Sequence, residues 1–274
     1  MPGSTAFCAR RAALDVLAAT EPAEKVARTL AIRSGLLSDT LRIDPDLDLR
    51  AEETGVPLPG RPARPELLAP RRVPWRDAHS PQGRAALLHA ITHIEFNAIN
   101  LALDVVWRFG GMPLDFYRDW LRVAAEEAEH FTLLRGHLHR LGHDYGDFAA
   151  HDGLWDMAEK TAGDLLARMA LVPRTLEARG LDASPRIRAK LAAAGDTRGA
   201  EILDRILADE IGHVAIGNRW YRWACAQAGC DPLTAYDALA RQYATPRLKP
   251  PFNRAARLQA GFTKTELDRL ETAS

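Results

Sequence analysis

Apolar residues recur every three or four positions through most of this chain, the spacing that places side chains on one face of an α-helix. Four long stretches carry the pattern. The first covers 80–109, with Leu88, Ile91, Ala98, Ala102, Val105 and Phe109 on its stripe; Pro81 suits a first helical turn, and Gly110-Gly111 ends it. The second follows Met112-Pro113 and stops at Leu141 before Gly142. The third spans 154–179, is ended by Gly180, and carries Pro173, which predicts a kink. A short helix over 184–194 precedes the fourth stretch, 197–228. Shorter helices are predicted at 6–19, 23–34, 236–243 and 263–271.

Between 42 and 76 the periodicity fails. Pro45, Pro57, Pro59, Pro62, Pro65, Pro70 and Pro74 each fix φ and remove a donor, so this segment reads as an extended strap across a helical surface. No stretch alternates convincingly with period two. The expected architecture is all-α, divided into N-terminal helices with the Pro-rich strap (1–79), a four-helix bundle (80–230) and a helical extension packed on it (231–274).

Polar residues interrupt the apolar stripes at a few places. Glu95 lies in the first stripe, Glu127 and His130 in the second, Glu210 and His213 in the fourth, and Glu177 stands one turn after Pro173. Glu159 rivals Glu177, but an acidic residue near a helix start simply suits the helix dipole. A second polar line on the first helix, His89, His93, Asn97 and Asn100, reads as a surface or strap-contacting face. The 142–153 loop carries His143, Asp144, Tyr145, Asp147 and His151, polar types that loops collect in any case.

The interruptions are matched. Glu-x-x-His occurs twice, and the preceding helix supplies one further glutamate each time. Glu95 to Glu127 is 127 − 95 = 32 residues, and Glu177 to Glu210 is 210 − 177 = 33. Two helical hairpins with equal offsets imply paired half-sites, together four carboxylates and two imidazoles. That set suits two divalent iron or manganese ions and is the ligand pattern of di-metal carboxylate bundles. Without metal the carboxylates would repel, and several would take up protons. A bundle held by buried salt bridges is the competing account, but no Lys or Arg recurs on these stripes. Glu126 and Glu129 are expected to face solvent or a neighbouring helix. Asp209, beside Glu210, is a candidate to orient a ligating histidine. Apolar Phe131, Ile206, Leu207 and Val214 are expected to line the approach.

Composition narrows the setting. The chain has 274 residues, 36 basic and 36 acidic, which excludes a whole-protein electrostatic footprint for nucleic acid. Cys8, Cys225 and Cys230 lack metal-type spacing and point to a reducing cytoplasm. Neither a signal peptide nor a membrane partner is expected.

At these residues the chain resembles the ferritin-like superfamily, and more narrowly an uncharacterised bacterial ferritin-like family, a domain of unknown function. The resemblance covers most of the chain through His93-Ile-Glu95-Phe-Asn97, Glu126-Glu-Ala-Glu-His130, Leu176-Glu-Ala-Arg179, Asp209-Glu-Ile-Gly-His213 and Pro246-Arg-Leu-Lys-Pro-Pro-Phe-Asn253. The stretch from Glu177 to His213 is also similar, more distantly, to tRNA-modifying di-iron hydroxylases. The resemblance implies a ferritin-like four-helix bundle and a site for two Fe ions, with Mn as the substitute. It leaves the reaction open. The expected function is an O2-dependent oxidase or hydroxylase, acting on a small molecule or an RNA base with an electron donor still to be identified. The other classes are iron or peroxide handling of the ferroxidase or rubrerythrin type, and a metal-free helical interaction protein. A homodimer is compatible with all of them. Arg247, Lys249 and Arg254 would be the RNA contacts, although a basic tail of this kind is more often structural.

Overall fold

A computed structural model describes residues 8–49, 55–74 and 78–272. The ends of the expected strap pieces at 50–54 and 75–77, and the start of the first predicted helix, lie outside the described residues. The architecture is all-α: 69% of the chain is helical, and no strand occurs among the described residues. No described helix is long and apolar enough to cross a membrane. The chain forms two compact units, Met1–Asp152 and Gly153–Ser274.

The first unit is built on α1 (Ala9–Leu17), α2 (Pro22–Leu37), α3 (Pro81–Arg108) and α4 (Leu114–Arg140). α3 and α4 pack along each other as a hairpin, α1 lies on α3, and α2 lies on α4. Ser80 caps α3, its hydroxyl accepting the Gly83 N–H at 3.0 Å. Leu88, Ile99, Phe116, Trp120 and Leu134 fill the interface. Removing a side chain of this size from water stabilises by roughly 1.5–3 kcal/mol.

Two buried cations tie the strap to these helices. The Arg10 guanidinium donates to the carbonyls of Asp44, Pro45 and Leu47 on the strap and of Val106 and Trp107 on α3. Lys25 Nζ donates to Leu17 O (3.0 Å), Gly60 O (2.9 Å) and Asn100 Oδ1 (2.6 Å) and sits over the Phe96 ring. Gly60 is required where the strap meets α1, because a Cβ there would stand 2.1 Å from Ala18 O.

The polar line of α3 is a strap- and loop-contacting face, and it is fully covered. His93 Nδ1 accepts from the Tyr145 hydroxyl at 2.9 Å while Nε2 donates to His151 O at 3.1 Å. His89 Nε2 accepts the Gly146 N–H at 2.9 Å. Burial holds the His93 pKa down at about 3, so the ring is neutral. The 142–153 loop thus turns Tyr145, Gly146 and His151 onto α3, while its Asp144 pairs with Arg135 and His139 of α4.

The second unit departs from the expected single third helix. α5 (Gly153–Lys160) stops, Asp164 caps a new start by accepting the Ala167 N–H at 2.9 Å, and α6 (Leu165–Leu171) runs into a π-helical turn, Val172–Glu177. The irregularity expected at Pro173 is this turn. α7 (Ala178–Ala193) then continues through both Gly180 and Pro185, which the sequence reading took as a stop and a separate start. Gly180 costs only about 1 kcal/mol within a helix, while buried Leu181 packs with Ala178, Val214, Phe262 and Leu267. Pro185 strands the Leu181 carbonyl, and Asn253 Nδ2 supplies the missing donor at 3.2 Å. α8 (Thr197–Ala228) keeps its expected bounds, with Gly229 in the left-handed region closing it. α9 (Pro232–Gln242), α10 (Arg254–Gln259) and α11 (Lys264–Thr272) complete the unit; α10 was not expected.

The π turn packs on α8 through Gly217, where an added Cβ would meet Pro173 Cβ at 2.6 Å. Neither proline ring nor helix backbone yields easily, so Gly217→Ala should lower the free energy of unfolding by about 1–3 kcal/mol, read from urea titration.

A second prediction concerns Lys25. Lys25→Met removes the donor from three buried acceptors and should cost about 2–4 kcal/mol. Burial first, and the nearby Arg61 charge second, hold the Lys25 pKa at about 7 against an ordinary 10.5. Between these values the unfolded chain binds more protons than the folded one. The stabilisation due to Lys25 should therefore rise with pH across that window. Urea titrations at several pH values should show the native protein gaining on Lys25→Met as pH increases.

Candidate metal site

Helical periodicity delivers three chemical groups to one spot in the first unit. Glu127 and His130 are three residues apart on α4 and so share a face. Glu95 reaches them from α3. All three are buried. His130 Nδ1 lies 3.1 Å from Glu95 Oε2 and 3.2 Å from Glu127 Oε2, and the ligand atoms of the three residues fall within 4.8 Å of one another.

The electrostatics are those of two carboxyl groups that share one imidazole nitrogen. Burial raises the Glu95 pKa well above the carboxylate range, and the Glu127 charge adds to the effect. Burial alone would lower His130, but the hydrogen bonds that its Nδ1–H donates to Glu127 and Glu95 outweigh it and lift its pKa to about 11. The trio thus holds protons where a cation could stand. Lys25, a buried basic side chain of the same unit, ends on two carbonyls and Asn100. Mixed imidazole and carboxylate donors suit iron, manganese or zinc better than magnesium or calcium. A buried Glu/His cluster able to bind a metal ion is present.

The chain neighbours of Glu95 and His130 are aromatic. Phe131, next to His130, packs on Phe96 and, edge-on, on Tyr145, with centroids at 5.4 and 5.1 Å. Tyr145 was read from sequence as an unremarkable loop residue; no spacing rule marks a loop aromatic that folds back over a helix pair. Glu126 and Glu129 are half-buried outside the trio, and Glu126 lies 4.0 Å from Arg33 of α2.

The second unit repeats the glutamate–histidine half. On α8, His213 Nδ1 lies 3.5 Å from Glu210 Oε1, both buried. Glu177 is half-buried at the end of the π turn that packs on α8. Its rival Glu159 is exposed and accepts from Trp155 Nε1 at 2.8 Å. Asp209 is half-buried, with Arg205 at 3.7 Å. Of the apolar residues expected to line the approach, Val214 and Leu207 instead pack in the cluster built on Ala178 and Phe262.

The fold and the cluster define an all-α protein with a buried carboxylate–imidazole site. Residues 18–268 match the family described as Protein of unknown function (DUF455), and the chain belongs to that family. An uncharacterised protein of Haemophilus influenzae is 53% identical over 214 residues, covering 76% of this chain and 74% of that protein. No solved structure matches.

Binding of a metal at the trio predicts a thermal shift. Manganese(II) should raise the melting temperature of the native chain, by an amount equivalent to about 2.7 kcal/mol at a hundredfold excess over Kd. A chelator should reverse the shift. The Glu127→Ala and His130→Ala variants should melt at the same temperature with and without manganese.

Proposed function

We propose that this chain is a di-iron carboxylate protein with a ferritin-like bundle, acting as an O2-dependent oxidase or hydroxylase. The observation that carries the reading is the buried Glu95–Glu127–His130 trio, in which one imidazole nitrogen faces two carboxyl groups. The Glu210–His213 pair repeats its Glu-x-x-His half on α8. The equal offsets of the sequence motifs support assigning both sets to one di-metal centre. Glu95, Glu127 and His130 would hold one iron ion, and Glu177, Glu210 and His213 the other, with manganese the substitute.

When bound, ferrous ions would supply the electrons that reduce O2 and so drive oxidation of a substrate C–H bond. The chain's own residues do the rest. Buried carboxylates neutralise the dications and release their protons on loading. Glu95, Glu127 and His130 are themselves buried, which keeps the site dry. Asp209 is the candidate to orient an imidazole through its second ring nitrogen.

Anaerobic loading with ferrous iron, followed by desalting and metal analysis, tests the reading. About two irons per chain are expected for this ligand set, and Glu127→Ala or Glu210→Ala should each lose at least one. Retention of both irons by either variant would sink the assignment. Oxygen admitted to the loaded protein should produce a ferric absorption band; sustained turnover of added ferrous iron alone would instead mark an iron-oxidising protein.

A further inference from the structure

Two cysteines meet at the end of α8, in a part of the second unit that the proposed metal chemistry does not use. α8 closes on Gly229, whose φ of 64° reverses the chain. The Gly229 N–H bonds back to Ala226 O at 3.3 Å and the Cys230 N–H to Cys225 O at 3.0 Å. This pair of bonds is the Schellman motif, which brings the residue after the left-handed glycine against the side chain five positions earlier. Apolar side chains frequently fill those two places. Here both are cysteine, Cys225 and Cys230.

The side chains meet as the motif requires. Cys230 Sγ lies 3.6 Å from Cys225 O, and the two thiols are within hydrogen-bond reach of each other. Both are free. Cys225 is buried beside Tyr221, whose hydroxyl donates to Pro232 O at 2.6 Å at the start of α9. Cys230 is half-buried, and residues 226–229 between the two are exposed. A small reactant therefore reaches Cys230 first. Burial raises the Cys225 pKa to about 11, so this thiol is neutral at rest. Ring size separates a permanent staple from a reversible pair. A cross-link restricts the unfolded chain least when the loop it closes is short. Only four residues lie between 225 and 230, so a permanent bond would add little to the fold.

We propose that Cys225 and Cys230 are a reversible redox pair that closes to a disulfide at the expense of a small-molecule disulfide of the glutathione type. The Cys230 thiolate attacks one sulfur of the oxidised reagent, breaking its S–S bond and expelling one thiol. Cys225 then gives up its proton and attacks the Cys230 sulfur, which forms the internal S–S bond and expels the second thiol. The chain loses two electrons and two protons, and the reagent gains both. Excess reduced thiol drives the same steps backwards. The pair shares no residue with the proposed metal ligands and does not depend on them.

The test uses the purified full-length chain, reduced, freed of reductant under nitrogen and equilibrated in buffers of varied reduced-to-oxidised glutathione ratio. After acid quenching and alkylation in denaturant, both cysteines are read on the tryptic peptide 223–241. Towards oxidising ratios this peptide should lose two hydrogen atoms and both alkylation sites, and towards reducing ratios it should regain them. Half conversion of the folded chain should fall at a ratio about tenfold or more to the reducing side of that for the chain held in urea. Cys230→Ser should keep Cys225 reduced in every buffer. Cys225→Ser should stop Cys230 at the mixed disulfide with glutathione; if this buried variant does not fold, Cys230→Ser decides the matter. The proposal is overturned if both thiols stay alkylatable in oxidised glutathione alone, or if Cys230 of the native chain stops at the mixed disulfide. A bond that joins two chains or includes Cys8 would overturn it as well, as would equal ratios for the folded chain and the chain in urea.

Discussion

Two carboxylates and an imidazole placed in a dry helix interface are the constraint on which the first unit turns. A helix pair as apolar as α3 and α4 would be more stable with leucine at Glu95 and Glu127. The chain keeps them, and the cost appears as protons held out of place: Glu95 pushed towards its neutral form, His130 towards its charged one. Each shift has a local cause in burial and in the other two groups.

The same unit gives its buried basic side chains neutral oxygen partners. Arg10 is met by five carbonyl oxygens, and Lys25 by two carbonyls and an asparagine. The strap is extended and rich in proline, so its carbonyls are free of helix bonds and can be turned inward. Cations therefore fasten the strap to α1, α2 and α3. The carboxyls of Glu95 and Glu127 meet at His130 in the α3–α4 hairpin instead. Two carboxyl groups kept in a dry interface where leucine would be more stable favour a site kept for an ion from outside.

Much of this was legible in the sequence because it depends on helical period. α3, α4 and α8 end where glycine, proline and capping residues predict, and the Glu-x-x-His pairs stand out as polar groups in apolar stripes. The third helix was misjudged because its continuity is tertiary. Pro185 is tolerated inside α7 since Asn253, far along the chain, serves the carbonyl it strands. The polar face of α3 was expected to touch the strap or solvent, and its complete burial comes from a loop whose path no periodicity encodes. Arg174 and Arg257 escaped notice for the same reason: an arginine reads as a surface residue until distant rings close over it.

The π turn joins several of these strands of argument within the second unit. Widening a helix by one residue per turn shifts every later side chain around its axis. Arg174 stands inside the widened turn and Glu177 at its end, so the same distortion that aims the guanidinium at the rings of Tyr221, Tyr236 and Phe262 also sets the bearing of the carboxylate. Gly217 lets α8 approach Pro173 closely enough to hold the turn. The Arg174–Asn218 hydrogen bond fastens it again one residue further along α8. Glu210 and His213 lie on the same helix, one to two turns earlier. The π turn that carries Glu177 is thus held by contacts made on α8 itself, and a helix of ordinary pitch through Pro173 would present a different face there.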